Sequence, residues 1–363
     1  MSNERFHILT PASPRGASLT EQADDLHHQL SALQKRHGLD TLLQARLYLS
    51  DAANQYEPLR QHQLVDDLTA TGVFTYIEQP PLNGHKLTLL LWFAGEKVLT
   101  RQTTRLPDGA LSVIDTAEGL SYVVQTVRWN AAQAAQTDAY EQTAGAFKSH
   151  TDRLAALGMN LKDHCHRTWI YVRDVDRHYA AVVKARNDLF DREGLTADTH
   201  YIASTGIGGA TEPRESLVAI DFLSVKGLRP EQVGYLHATD YLNPTREYGV
   251  AFERGTWLDL PSGRHFFISG TASIDRHGDC LHRGDVLTQA GRLFLNIEKL
   301  LEDGGGSLSE VGYFIVYLRD VADYAAINTY LHLRFPHTPF LITEARVCRP
   351  EWLIEVECIA VRP

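Results

Sequence analysis

Apolar and polar positions along this chain alternate at two periods. The C-terminal run EWLIEVECIAV puts Ile354, Val356 and Cys358 on one face of an extended segment and Glu355, Glu357 and Ile359 on the other, after a turn at Arg349-Pro350. That is period two, the mark of a strand. Short apolar runs at 169–172, 265–270 and 314–318 read the same way, and the run at 87–94 is of strand length. Helical periodicity covers roughly 20–36 and two stretches that begin near Gln142 and Thr288. One feature of the last strand resists the simple reading. Two carboxylates share a face with an isoleucine, so either that face is wet and the acids are ordinary, or one acid sits in a pocket.

The elements recur. From Gln142 and from Thr288 the chain repeats helix, glycine, apolar strand, Arg-Asp turn and helix, with Gly158 matching Gly304, Tyr171 matching Tyr317 and Asp174 matching Asp320 at an offset of 146. The aspartate suits the cap of the helix that follows, expected near Tyr179 or Tyr324, and the glycine suits a left-handed helix end. A fainter copy, LYLSDAANQY, places Tyr48, Asp51 and Tyr56 like Tyr171, Asp174 and Tyr179. The expected organisation is three α+β modules at 1–95, 96–225 and 245–363, with 226–244 as a linker. HKLTLLLWFAGEKVLTRQTTRL is expected to open the second module, and the first lacks its opening strands. Alternating strands and helices predict mixed sheets with helices on one face. Three like modules predict a pseudo-trimeric ring closed within a monomer, with binding clefts between modules.

The repeat also separates the two acids. Aligning DFLSV with ECIAV puts Asp221 opposite Glu357 and Ala219 opposite Glu355. A carboxylate present in one copy only is not filler for the fold, so Glu355 is the candidate site residue and Glu357 the structural or solvated acid.

Composition narrows the classes. The 363 residues are 44% hydrophobic with a formal net charge of −10, which disfavours a nucleic-acid partner. No apolar run is long enough to span a bilayer, and the polar start Met1-Ser2-Asn3-Glu4-Arg5 has no apolar signal core, so a cytoplasmic protein is expected. Cys165, Cys280, Cys348 and Cys358 lack CxxC spacing and read as reduced thiols. His164 and His166 form the tightest histidine pair, but no third ligand accompanies them, so no metal is expected. STGIGG at 204–209 lacks both a Walker lysine and GxGxxG before a helix. No cofactor is expected.

FFISGTASID, the stretch NIEKLLEDGGGSLSEVGYFIVYLRDVADYAAIN and IEVECIAV resemble the RidA/YjgF fold over about 120 C-terminal residues. That resemblance implies a catalytic glutamate at Glu355. The arginine used by its imine-hydrolysing members falls on Phe340, which argues against imine deamination. The full layout resembles the chorismatase family, through STGIGG, AFERGT at 251–256 and EARVCRPEWLIEVE at 344–357. The resemblance implies action on chorismate with loss of pyruvate. It places the catalytic glutamate at Glu355, an assisting cysteine at Cys348, and Gly255 where hydroxybenzoate-forming members have glycine.

The chemistry expected from this resemblance begins with protonation of the enolpyruvyl methylene by Glu355, kept neutral by apolar neighbours. The ring hydroxyl then displaces pyruvate, giving 3-hydroxybenzoate alone or with the 4-isomer, and Cys348 assists. Arg246, Arg346 and Arg167 are candidates for the two substrate carboxylates, and Tyr171, Tyr248 and Thr205 for hydroxyl contacts. The competing expectations are hydrolysis of chorismate to a dihydroxy-diene acid and pyruvate, and a RidA-like protein that binds without turnover.

Overall fold

Three separate mixed sheets carry the chain. The computed structural model describes residues 5–38, 41–71 and 73–363, without the side chain of Tyr248. The first sheet holds β1 (Phe6–Leu9), β2 (Leu42–Leu49), β3 (Phe74–Glu78) and β4 (Leu87–Phe93) in the order β1-β4-β2-β3. The second holds β5 (Val98–Leu106), β6 (Gly109–Thr116), β7 (Ser121–Val127), β8 (Cys165–Val172), β9 (Ala203–Gly208) and β10 (Val218–Lys226) in the order β5-β6-β7-β10-β8-β9. The third holds β11 (Val233–Leu236), β12 (Gly255–Leu260), β13 (Gly263–Thr271), β14 (Val311–Leu318), β15 (Phe340–Glu344) and β16 (Ile354–Arg362) in the order β11-β12-β13-β16-β14-β15. The second and third orders are identical, and the first matches their last four places. In each, a single parallel pair (β2–β3, β8–β9, β14–β15) joins otherwise antiparallel strands. The fold is α+β, one module written three times.

Strand register fixes the equivalences. Tyr48 pairs with Thr88, Tyr171 with Ala219 and Tyr317 with Glu355. Two residues earlier on the same strands, Arg46 pairs with Leu90, Trp169 with Asp221 and Ile315 with Glu357. The match of Asp221 to Glu357 is therefore physical.

Alternation along the strands explains how the modules meet. On β8, Ile170 and Val172 face the helices Ala139–Ala156 and Val175–Glu193, packing with Phe147 and Phe190. Trp169 and Tyr171 point the other way, into a core shared with Tyr48 and Trp92 of the first module and Tyr313 and Tyr317 of the third. Helices thus cover one face of each sheet, and the opposite faces meet around a pseudo-threefold axis. Isolated bridges seal the seams, at Glu78–Ala210, Ala203–Glu253 and Pro81–Thr343.

Several local expectations change. Val233–Leu236, inside the stretch expected to be a linker, adds an edge strand by pairing with β12. The run expected to open the second module divides, because Leu87–Phe93 pairs with β2 and closes the first sheet. The helix after Asp174 begins at Val175, not near Tyr179, and Asp174 makes no side-chain cap because it is itself left-handed, φ 49°. Asp51 and Asp320 do cap, accepting from the amides of Asn54 and Ala322. Gly158 is left-handed as expected, φ 67°, whereas in the third copy that role falls to Gly305, φ 79°. The four cysteines are free, and no described helix is long and apolar enough to cross a membrane.

Candidate active site

Glu355 lies on β16, the central strand of the third sheet, where it is flanked by β13 and β14. It is 3% exposed. A Cβ at Gly270 would overlap its carboxyl, so the glycine backbone forms a wall against the acid. Burial, and after it the charge of Glu357, pushes its pKa up to about 8, against the opposing pull of Arg167 and Arg254. Near neutral pH this carboxyl holds its proton.

The acid opens onto a cavity of about 310 Å³ between the second and third modules. The second module contributes Tyr179, Val183 and Arg186 from its crossover helix and Ser204 and Gly206 from β9. The third contributes Phe252, Arg254, Cys348, Arg349 and Trp352 beside Glu355. Arg186 and Arg254 both approach the ring of Phe252, at 5.8 and 5.5 Å, and Arg254 donates to Asn243 Oδ1 at 3.0 Å. Arg349 lies 5.2 Å over Trp352. Three guanidiniums and aromatic walls around a neutral acid suit a small, multiply anionic molecule. Cys348 is half-buried there, and burial together with Glu355 raises its pKa, so it remains a thiol.

The pseudo-symmetry gives two internal comparisons. Tyr56 and Tyr324 occupy the place of Tyr179, and register puts Phe74 and Tyr76, or Phe340 and Ile342, where the second module has Ser204 and Gly206. Between the first and second modules Tyr76 stacks on Tyr56 with centroids 4.5 Å apart, and the acid position is Ala219. Between the third and first modules Phe340 and Tyr324 line an open cleft of about 520 Å³, and the acid position is the buried Thr88. Small residues on β9 and an acid on the closing strand come together in one of the three seams. Space for a Tyr76-like ring is absent at Gly206, where even a Cβ would lie 2.9 Å from Tyr179 Cε2.

Of the residues singled out from sequence, Glu355 and Cys348 meet in this cavity. Among the described residues, the others do not line it. Arg346 is exposed and pairs with Asp176 at 2.8 Å in a different cleft; β15 ends at Glu344, so the alternation that would have put Arg346 beside Cys348 stops. Arg246 sits in a neighbouring cavity of about 240 Å³ that shares Phe252 and Arg254 with the first, and it donates to the carbonyl of Ala197 at 3.2 Å. Arg167 is buried behind the acid, donating to Glu357 at 2.8 Å and Thr205 at 2.6 Å. Thr205 also accepts from the amide of Gly270 at 3.0 Å and is fully buried. Tyr171 lies in the axial core, 5.5 Å below Arg46. Gly255 faces Leu236, whose Cδ1 would lie 2.8 Å from a Cβ there, on the side away from the cavity. Phe340 lines the cleft between the third and first modules, not the cavity onto which Glu355 opens. The side chain of Tyr248 lies outside the described residues. Glu357 is buried and ion-paired, not solvated. His164 ends a short helix and His166 is buried on β8; among the described residues no cluster of three metal-type ligands occurs. Sequence reasoning missed Arg186, Arg254 and Arg349; Arg254 is adjacent to Gly255, and Arg349 to Cys348, in motifs already noted.

Residues 258–362, which include Glu355, match the family model described as Endoribonuclease L-PSP. Over 100 residues, 26% of this chain and 76% of the relative, the chain is 34% identical to 3-aminoacrylate deaminase RutC of Acinetobacter baylyi. Over 102 residues, 28% of this chain and 80% of the relative, it is 32% identical to a RutC family protein of Pyrococcus abyssi. A crystal structure of a chorismatase is similar over 98% of this chain and 98% of its own, with a TM-score of 0.70 and 18% identity, a likeness of fold.

Proposed function

The chain belongs, through residues 258–362, to the RutC (endoribonuclease L-PSP) family, and from that premise we propose that it is an enzyme converting chorismate to 3-hydroxybenzoate and pyruvate. The observation that carries the reading is Glu355, a buried acid with its pKa raised to about 8 on the wall of an arginine-lined cavity. The full-length likeness to a chorismatase supports the choice of substrate.

Protonation of the enolpyruvyl methylene carbon makes the ether carbon electrophilic. Carbon protonation is slow, so a proton held at the site by a neutral carboxyl is worth most in this step. Glu355 gives that proton. The neighbouring ring hydroxyl then attacks the ether-bearing ring carbon, the carbon–oxygen bond breaks, and pyruvate leaves with both ether electrons. The resulting arene oxide opens to the aromatic acid, and the hydroxyl proton returns to Glu355. Cys348, kept as a thiol, acts as a proton relay and not as a thiolate nucleophile. Arg186, Arg254 and Arg349 hold the two carboxylates. The hydroxybenzoate route needs no water in the cavity; water attack would give the dihydroxy-diene acid instead.

The test is to incubate purified protein with chorismate and separate the products by chromatography. Pyruvate with 3-hydroxybenzoate supports the full reading. Pyruvate with the diene acid overturns the product assignment, and absence of pyruvate overturns the activity. A Cys348→Ala variant with an unchanged product ratio removes the thiol from the mechanism.

A further inference from the structure

Behind Glu355 a second buried carboxylate is held by arginines from two other modules. Glu357, 1% exposed, accepts from Arg167 Nη2 at 2.8 Å, from Trp169 Nε1 at 3.1 Å and from Arg46 Nη1 at 3.4 Å. Arg167 and Trp169 come from the second module and Arg46 from β2 of the first. Arg46 is fully buried, lies 4.9 Å over Trp169 and donates to Tyr48 Oη at 3.2 Å. Its Nε and Nη2 make no hydrogen bond to a described residue. Arg167 continues through Thr205 to the amide of Gly270, the residue whose backbone abuts the Glu355 carboxyl.

An acid at this place is not required by the fold, since the counterpart of Glu357 is Leu90 in the first module, although it is the buried, ion-paired Asp221 in the second. What the third module alone has at this place is a charged partner from another module, and the counterparts of Arg46 are Trp169 and Ile315. Buried ion clusters are often replaceable by apolar residues without loss of stability. Here the cluster sits two residues from Glu355 on the same face of one strand, so the charge of Glu357 acts directly on Glu355, and Arg46 and Arg167 set how much of that charge is felt.

We propose that Glu357 is a positioning residue that sets the proton affinity of Glu355, and that Arg46 brings the degenerate first module into the working of the site. This rests on the reading of Glu355 as the acid. The charged and titratable groups facing this pair are Arg46 and Tyr48 on β2, Arg167 and Tyr171 on β8, Asp221 on β10, Tyr313 and Tyr317 on β14, Cys358 on β16, and Tyr179, Arg186, Arg254, Cys348 and Arg349 at the cavity. Asp221 is neutralised by Arg128 at 2.8 Å and accepts from Thr75, so it belongs to a separate pair. Burial and Glu357 raise the pKa of Glu355, and Arg167 and Arg254 lower it, in agreement with the geometry.

Two substitutions push in opposite directions. Glu357→Gln removes a negative neighbour and leaves two guanidiniums unbalanced, so the Glu355 midpoint falls by about one pH unit or more. Arg46→Met removes a positive charge that masks Glu357, so the midpoint rises. The readout is isotope-edited infrared titration of the Glu355 carboxyl in 13C-glutamate-labelled protein, with the matching Glu355→Gln background subtracted. Opposite shifts support the proposal. No shift, or both variants moving toward an ordinary carboxylate, overturns it, since that is what a loosened cavity alone would do. If Glu357→Gln does not fold, Arg46→Met decides alone, and a midpoint that fails to rise overturns it. The titration uses no chorismate, so a failure of the catalytic reading, seen as full turnover by Glu355→Gln, is distinguishable from a failure of the network.

Discussion

Replacing the buried acid by its amide stabilises this protein at neutral pH. Glu355 has an ordinary carboxyl pKa of 4.5 in the unfolded chain and about 8 in the fold. Below about pH 4.5 it is protonated in both states and the shift costs nothing. As pH rises from there to about 8, the unfolded chain ionises first and unfolding releases a proton, so stability falls; above about 8 both states are ionised and the loss is complete. Each unit of separation is about 1.4 kcal/mol, so the loss reaches about 3 kcal/mol at about pH 7 and about 5 kcal/mol at full separation. Glutamine has the same shape and no proton to lose. It carries an amide that needs partners, at a cost of about 1 kcal/mol, which leaves a net gain of about 2 kcal/mol at about pH 7. Urea denaturation followed by tryptophan fluorescence, on wild type and Glu355→Gln between about pH 4.5 and about pH 8, reads this difference. The gain of the variant must grow with pH across that window. A difference independent of pH, or a variant weaker than wild type at neutral pH, refutes the buried neutral acid.

Other outcomes follow from the same geometry. Gly206→Val pushes on the ring of Tyr179, whose Cε2 would lie 2.9 Å from a Cβ there, and so reshapes the cavity that both residues line; chorismate turnover falls more than about tenfold in steady-state assays. Gly208→Ala puts a Cβ 2.7 Å from the carbonyl oxygen of Arg346 in the other cleft; the unfolding free energy from urea denaturation falls by about 1–3 kcal/mol while turnover of the folded protein is kept. Arg254→Met removes a carboxylate partner from the cavity wall and raises KM more than it lowers kcat. His150, His166 and His265 are buried with pKa values lowered to about 3; below about pH 6.5 the unfolded chain takes up protons that the fold refuses, so stability falls with pH at up to about 1.4 kcal/mol per unit for each histidine, as urea midpoints between about pH 7 and about pH 5 will show.

Much of this was legible in the sequence because it depends on local period and on repetition. The tyrosines at 48, 171 and 317 marked equivalent strands, and the alignment that separated Glu355 from Glu357 is the register the strands adopt. The arginines were not legible. Arg346 shares a strand-like pattern with Cys348, but the strand stops at Glu344 and the chain turns through Arg349-Pro350, so Arg349 and not Arg346 reaches the cavity. Arg186 is one of several polar residues on a long helix, and only the docking of the second module against β16 selects it. Tyr171 and Arg167 are polar and lie on the repeated strand, a pattern that suggests ligand contact; the sheet face that carries them turns to the axis, where three modules bury them. Period assigns a residue to a face, while the identity of what covers that face is set by contacts far apart in the chain.

The central claim is that Glu355 holds a proton at neutral pH and delivers it to an enol carbon. Its most direct measurement is pyruvate release from chorismate across pH, by wild type and by Glu355→Gln. The account predicts a wild-type rate that declines as pH rises through about 8 and a variant slower by about a hundredfold to ten-thousandfold. A variant within about tenfold of wild type, or a wild type that releases no pyruvate, contradicts it.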